Sequence, residues 1–180
     1  MAESQTAFQL LFDIDQRCRS LAAGLPSQVA RQQDWSGIGF RMGGRCYVAP
    51  MGEIGEILHE PRYATLPGVK PWVRGIANLR GRLLPIMDLC SFLGEELSPA
   101  RSRQRRVLVV EHQDIFAGLI VDEVLGLQHF SQMSLIPQQP GELDGLIAPY
   151  IRGQFLREQA WLVFSPWALA QSPDFMDVAS

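Results

Sequence analysis

The side chains able to do chemistry in this 180-residue chain are few and scattered. Its three histidines are His59, His112 and His129. A zinc-hydrolase helix needs two histidines four residues apart with a glutamate between them, and His59-Glu60 has no second histidine after it. His112 and His129 are isolated and read as loop or half-buried residues rather than ligands. Cys18, Cys46 and Cys90 are far apart and odd in number, without CxxC or CxxH spacing, so neither a disulfide framework nor a zinc site is supported. No GxSxG nucleophile elbow and no GxxxxGK[ST] phosphate loop occurs. Gly37-Ile38-Gly39 lacks the third glycine and the helix of a dinucleotide site. The expectation is a protein with no catalytic residue, metal or cofactor, which works by binding.

One segment could mislead. Val107-Leu108-Val109-Val110-Glu111 looks like the first strand of a phosphate-accepting receiver domain, where adjacent acids hold magnesium. Here His112 follows Glu111. Roughly 70 residues remain after it, too few for a doubly wound sheet with its helices. The receiver reading falls.

Composition narrows the partners. Hydrophobic residues make up 47% of the chain and charged residues 19%, with a net charge of −3. Phosphate binding needs a basic excess, so nucleic acid is not expected. The one basic cluster, Arg101, Arg103, Arg105 and Arg106, reads as a solvated loop, with an acidic partner patch as the sharper alternative. No signal peptide is visible, and no apolar run approaches the ~20 residues of a membrane span. A cytosolic chain with no direct membrane insertion is expected, any membrane association coming through a partner.

The elements that would position a binding surface can be read in order. Residues 6–25 predict an amphipathic helix. Thr6 with Gln9 fits a capping box, Leu11, Ile14, Cys18, Leu21 and Leu25 share one face, and Gly24 and Pro26 form a stop. This helix either packs on its own domain or docks a partner. After a polar link the period becomes alternating. Residues 37–42 and 45–49 flank Gly43-Gly44, a pair suited to a tight hairpin turn that sets Phe40 opposite Tyr47. Ile54 and residues 56–58 extend the β pattern, and residues 73–79 and 83–87 form two strands about Gly81. Pro85 marks the second as an edge strand or a bulge site. Asp88 caps a short helix that Gly94 ends. Residues 107–110 and 115–121 make another hairpin, residues 151–155 and 161–164 two more strands, and Ser165-Pro166 opens a last short helix.

These pieces repeat weakly. The hairpin at 37–49 is echoed at 107–121, Val73-Arg74-Gly75 by Ile151-Arg152-Gly153, and the capped helix at Asp88 by the one at Ser165. Many short strands, glycine-rich turns and few helices predict a mainly β protein built from small barrels.

The most specific stretch runs from Pro71 to Gly94. It contains Trp72-Val73-Arg74-Gly75, Asn78-Leu79-Arg80-Gly81, Leu84-Pro85-Ile86-Met87, Asp88-Leu89 and Leu93-Gly94. It resembles the signature of the CheW family of chemotaxis coupling proteins. The resemblance covers roughly residues 35 to 170 and includes Glu53-Ile54-Gly55-Glu56-Ile57, where Gly55 departs from the side chain many members carry. Residues Asp13 to Arg19 resemble the pilus-associated, twitching-motility branch.

The resemblance implies two intertwined five-stranded SH3-like barrels over 35–170, between an N-terminal helical extension (1–34) and a C-terminal tail (171–180). It also implies a non-catalytic adaptor that links the cytoplasmic tip of a methyl-accepting chemoreceptor to a CheA-type histidine kinase. Such an adaptor would be cytoplasmic and recruited to the inner membrane face through the receptor. By motif position the receptor-side candidates are Ile54, Glu56, Gly75, Asn78 and Arg80, with Glu56 the neighbour of Arg80. A guanidinium projecting from the turn before Gly81 suits carboxylate recognition; the plainer reading is a surface ion pair of ~0–1 kcal/mol. The alternative function is a scaffold or sorting module of another signalling pathway on this fold, without kinase binding.

Overall fold

A computed structural model of the chain describes residues 7–21, 34–94, 104–138 and 145–180. Thr6, Gly24, Leu25, Pro26, Arg101 and Arg103 lie outside the described residues. The chain divides into two compact units, residues 1–32 and residues 33–180. In the first, helix α1 (Ala7–Leu21) carries an Asp13–Arg17 ion pair of 2.6 Å one turn apart.

The second unit is built from two curled β-sheets that form SH3-like barrels. The outer sheet takes its strands from both ends of the unit: β1 (Asp34–Met42), β2 (Arg45–Pro50), and later β8 (Glu123–Ser131), β9 (Leu135–Pro137), β10 (Ile151–Leu156) and β11 (Ala160–Phe164). Its order is β8-β1-β2-β11-β10-β9. The inner sheet is contiguous in sequence: β3 (Glu56–His59), β4 (Val73–Leu79), β5 (Arg82–Asp88), β6 (Arg106–His112) and β7 (Ile115–Val121), in the order β3-β6-β7-β5-β4.

The repeat is a true pseudo-symmetry. Setting aside the short β9, the order β8-β1-β2-β11-β10 superimposes in topology on β3-β6-β7-β5-β4. In each sheet the hairpins are antiparallel and join through one parallel pair, β2 with β11 and β7 with β5. In each, the Arg-Gly strand carries a register shift at its start, between Val73 and Gly75 and between Ile151 and Gly153.

Period-two alternation explains the core. On β6, Val107 and Val109 fill the inner barrel while Leu108 and Val110 face a core shared by both sheets. On β11, Trp161 and Val163 fill the outer barrel while Leu162 and Phe164 enter the same shared core. Strands buried on both faces must be apolar on both faces, hence the unbroken Val107–Val110 run. Phe40 pairs with Tyr47 across the first hairpin, their rings stacked at 5.5 Å, and Gly43 and Gly44 both take positive φ.

Three short helices cover the junction: α2 (Leu89–Phe92), α3 (Pro166–Ala170) and α4 (Pro173–Met176). Asp88 caps α2 by accepting from the Ser91 N–H at 3.1 Å, and Ser165 caps α3 by accepting from the Ala168 N–H at 3.2 Å.

Pro85 corrects the expectation of an edge strand or a bulge. β5 lies between β7 and β4, and no register shift falls at Pro85. Pro85 pairs with Ile76 on β4, and the ladder to β7 begins only at Ile86. The missing donor therefore falls where β5 has a strand neighbour on one side alone.

Candidate partner-binding site

The hairpin between β4 and β5 closes on two residues in the left-handed region, Arg80 at φ 53° and Gly81 at φ 84°. Glycine takes that conformation freely; an L-residue such as arginine pays about 1–2 kcal/mol for it. The Asn78 side chain offsets part of this cost, its Oδ1 accepting the Gly81 N–H at 2.8 Å. The turn thus holds Arg80 out from the sheet, 78% exposed, with its Nη2 2.7 Å from Glu56 Oε1. Glu56 is positioned from the other edge of the inner sheet, where β3 lies on β6 with Glu56 opposite Val109. The preceding Gly55 N–H donates to the Val109 carbonyl at 2.8 Å.

Beside this pair lies a second one. Arg82 donates to both carboxylate oxygens of Glu111, at 2.9 and 3.3 Å. Its guanidinium also rests 3.8 Å from the centre of the Phe116 ring. Arg82 on β5 reaches past β7 to β6, with Phe116 directly opposite Glu111 across the hairpin. The hydrogen bond from Arg82, against an opposing loss of hydration and helped by the positive charge of Arg82, holds the Glu111 carboxyl below the usual glutamate value. Glu56, Arg80, Arg82 and Glu111 with Gly55 and Phe116 border an open pocket of about 180 Å³. That volume admits one or two side chains, not a small-molecule substrate of ordinary size. Leu83, 68% exposed, follows Arg82. The arrangement can exchange carboxylate–guanidinium pairs with an incoming polar surface over an apolar floor, and offers no nucleophile with a base. Among the described residues, no three His, Cys, Asp or Glu side chains converge to hold a metal, and no helix is long and apolar enough to cross a membrane.

The five residues singled out in the sequence are not equivalent. Glu56 and Arg80 meet directly. Asn78 supports the turn through its side-chain oxygen. Ile54 is half-buried against the shared core. Gly75 is buried at the start of β4, at φ 147°, where an added Cβ would lie 2.1 Å from the Ala64 carbonyl oxygen. Its pseudo-equivalent Gly153 is equally confined, with a Cβ position 2.5 Å from the Ile136 carbonyl oxygen. The repeated Arg-Gly dipeptide therefore has a packing role in both halves. Its arginine serves the same end: Arg74 lies 3.7 Å from the buried Asp88, and Arg152 lies 3.2 Å from the buried Glu53.

Arg82, Glu111 and Phe116 were missed by sequence reading. The signal was available in the hairpin register, since a two-residue turn at Gln113-Asp114 puts Glu111 opposite Phe116. Also missed were two buried acids at the points where the chain crosses between sheets. Glu53, leaving β2, accepts from Ser165 Oγ at 2.8 Å and from the Trp167 N–H at 3.0 Å. Asp122, leaving β7, accepts from the Gly43 N–H at 3.0 Å and lies 4.0 Å from Cys90 Sγ in α2.

Comparison with known proteins agrees with this architecture. Residues 36–174 match the family described as CheW-like domain. The protein PilI of Pseudomonas aeruginosa is 69% identical over 179 residues, an alignment that covers 99% of each chain. The chemotaxis protein CheW of Helicobacter pylori is 29% identical over 127 residues, 71% of this chain and 76% of that one. The crystal structure of the scaffolding protein TtCheW from Thermoanaerobacter tengcongensis shares the fold with a TM-score of 0.65 and 22% identity, covering 73% of this chain and 89% of that one.

Proposed function

The chain belongs to the CheW-like domain family, and from that premise we propose that it is a non-catalytic coupling adaptor of a chemotaxis-like pathway controlling type IV pilus twitching motility. In this reading it binds the cytoplasmic tip of a methyl-accepting chemoreceptor with one surface and a CheA-type histidine kinase with another. It is cytoplasmic and reaches the inner membrane face through the receptor. The likeness to PilI over nearly its whole length supports the twitching assignment.

The observation that carries the site is Arg80. The two-residue turn requires a left-handed residue at this place, as it does of Gln113 between β6 and β7, and here it fixes an exposed guanidinium at the tip beside Glu56 and the pocket. Its ion pair with Glu56 adds little to stability at that exposure. We assign Glu56 and Arg80 to direct receptor recognition, with a receptor side chain entering the adjoining pocket. Ile54 backs the same surface from the core side, while Asn78 and Gly75 act by holding the turn and strand that display Arg80. Two modest interfaces, each at or below ~800 Å² per partner, suffice when both partners are held together, because the second contact becomes intramolecular.

The test is co-purification of the full chain with a receptor signalling tip and a CheA-type kinase, comparing the native chain with Arg80→Ala and Glu56→Ala. Bridging by the native chain, with loss of the receptor arm alone in both variants, is the expected result. Retention of receptor binding by both variants would move the site elsewhere. A native chain that binds the receptor tip but no kinase would favour a scaffold or sorting role in another pathway. Failure to hold either partner would overturn the adaptor reading.

A further inference from the structure

Residues 171–180, expected from the sequence as a tail, are packed against the second unit. Phe175 in α4 is buried with its ring 5.3 Å from that of Phe92, and the Ser172 hydroxyl accepts from Tyr150 at 2.8 Å. The chain then lies antiparallel along residues 68–70. Val69 pairs with Ala179, the Lys70 N–H donates to the Val178 carbonyl at 3.0 Å, and the Ser180 N–H donates to the Gly68 carbonyl at 3.2 Å. Val69 and Val178 both pack on the shared core, and the Lys70 ammonium meets Asp177 Oδ2 at 2.6 Å. Residues 177–180 lie beyond the 36–174 span of the family match.

The segment they hold belongs to the connection from β3 to β4, residues 60–72. Pro61, Pro67 and Pro71 withhold backbone donors that a strand would need there. β3 and β4 are the two edges of the inner sheet, and the pairing senses along β3-β6-β7-β5-β4 make them run in opposite directions. The connection therefore joins them at one end of the barrel, and the Glu56–Arg80 pair joins them at the other. Among the described residues no ladder links β3 to β4 between these ends. Ala64 docks on the β4 edge instead, exchanging both backbone hydrogen bonds with Ile76 at 2.9 Å and lying against Gly75.

We propose that residues 177–180 are a clip that fixes the seam of the inner barrel and thereby the position of Arg80 relative to Glu56, with Lys70, Asp177 and Val178 as positioning residues. A connection without regular structure opens locally at little cost unless something ties it down, and the clip supplies that tie through backbone bonds, an ion pair and an apolar contact. Without it, residues 68–70 lose their partners on one side, and Ala64 is left to hold the β4 edge from an untethered loop. β4 keeps β5 as its neighbour, but its outer edge is freed at Ile76, and the strand carries that freedom on to the turn at Arg80 and Gly81. That the clip matters to recognition rests on reading Glu56 and Arg80 as receptor contacts; its hold on the turn does not.

The test is amide hydrogen exchange read by NMR on the full chain, comparing the native protein with Val178→Asp, Asp177→Lys and the charge swap K70D/D177K. In Val178→Asp, exchange at Ala64, Lys70 and Ile76 should quicken at least about tenfold more than at Leu108 and Leu119 in the same sample, and the Gly81 amide should shift and lose protection. Asp177→Lys, which leaves the core untouched, should act in the same direction by about threefold, and the swap should restore protection. Receptor-tip affinity should fall about threefold to tenfold in Val178→Asp. Protection at Ala64, Lys70 and Ile76 that survives both single variants would overturn the clip. Faster exchange there with Gly81 unmoved would overturn its link to the Arg80 turn. A native chain that does not bind the receptor tip would overturn the receptor reading, while the Gly81 amide still decides whether the clip positions the turn.

Discussion

Glu53 Oε2 and Ser165 Oγ lie 2.8 Å apart although 112 positions separate them in the chain. The carboxylate of a residue that leaves the outer sheet reaches the cap of the helix that follows the outer sheet's last strand. Glu53 is 4% exposed, and its other oxygen meets Arg152, whose side chain is half in solvent. This contact joins the crossover to α3.

Glu53→Ala should therefore cost stability without touching partner recognition. It orphans the Trp167 N–H and the Ser165 hydroxyl in a dry site, at about 1–3 kcal/mol per buried group left unpaired. Arg152 adds little to the loss because it can turn to water. A fall in the urea midpoint equivalent to about 2–4 kcal/mol, at unchanged slope, is expected; a change below about 0.5 kcal/mol would mean that Glu53 is dispensable to the crossover.

Two glycines near the site should respond in opposite ways. At Gly75 an added methyl meets the Ala64 carbonyl at 2.1 Å with φ at 147°, so Gly75→Ala should destabilise by about 2 kcal/mol or more. At Gly55 the added Cβ finds only the Val109 carbonyl oxygen, at an ordinary 3.6 Å, so Gly55→Ala should stay within about 0.5 kcal/mol of the native chain. Thermal denaturation of the pair reads the contrast directly.

Arg80 allows stability and recognition to be separated at one position. Arg80→Gly relieves the left-handed strain and should leave the fold unchanged or stabilise it by up to about 1 kcal/mol. The same substitution should weaken receptor-tip binding by about tenfold to a hundredfold, as should Arg80→Ala, because a charge-assisted contact contributes about 1.5–3 kcal/mol. Calorimetric titration that finds native affinity in Arg80→Gly would reduce the guanidinium to a bystander.

Glu111 should titrate below the ordinary glutamate value of 4.5. A depressed folded value means that its contribution is fully present at neutral pH and is lost as pH falls through the folded value, when the carboxyl takes up a proton and releases Arg82. Carboxyl NMR titration should show the low midpoint in the native chain and its return toward 4.5 in Arg82→Ala. An unchanged midpoint in that variant would show that Arg82 does not set the shift.

Much of this was legible in residue order. Gly43-Gly44 predicted both the turn and the Phe40–Tyr47 register, because two positive-φ residues leave one two-residue hairpin geometry. Asp88 and Ser165 announced their helices because a short acceptor before an apolar turn has few other uses. The repeated Arg-Gly dipeptides were visible, but their meaning was not: the carbonyls that crowd Gly75 and Gly153 come from Ala64 and Ile136, on segments with no sequence mark of closeness. β8 went unread because Gly126, at φ 79°, interrupts its alternation where the register with β1 shifts. Glu53 and Asp122 look in sequence like ordinary polar residues at strand ends; only the crossing of the chain between sheets buries them. Arg80 stood out through its turn, whereas Arg82 and Glu111 are joined by a strand order that local pattern does not encode.

The nesting of one sheet inside the other bears on how the chain is made. The inner sheet is contiguous, from β3 to β7, and can close soon after Val121 leaves the ribosome. Val48 of β2 must wait for Val163, its neighbour across the parallel ladder. For most of synthesis the first hairpin therefore stands with an open hydrogen-bonding edge and one apolar face uncovered, beside a finished inner barrel. That interval is when a chaperone would find this chain, and when a neighbouring nascent copy could take the place reserved for β11.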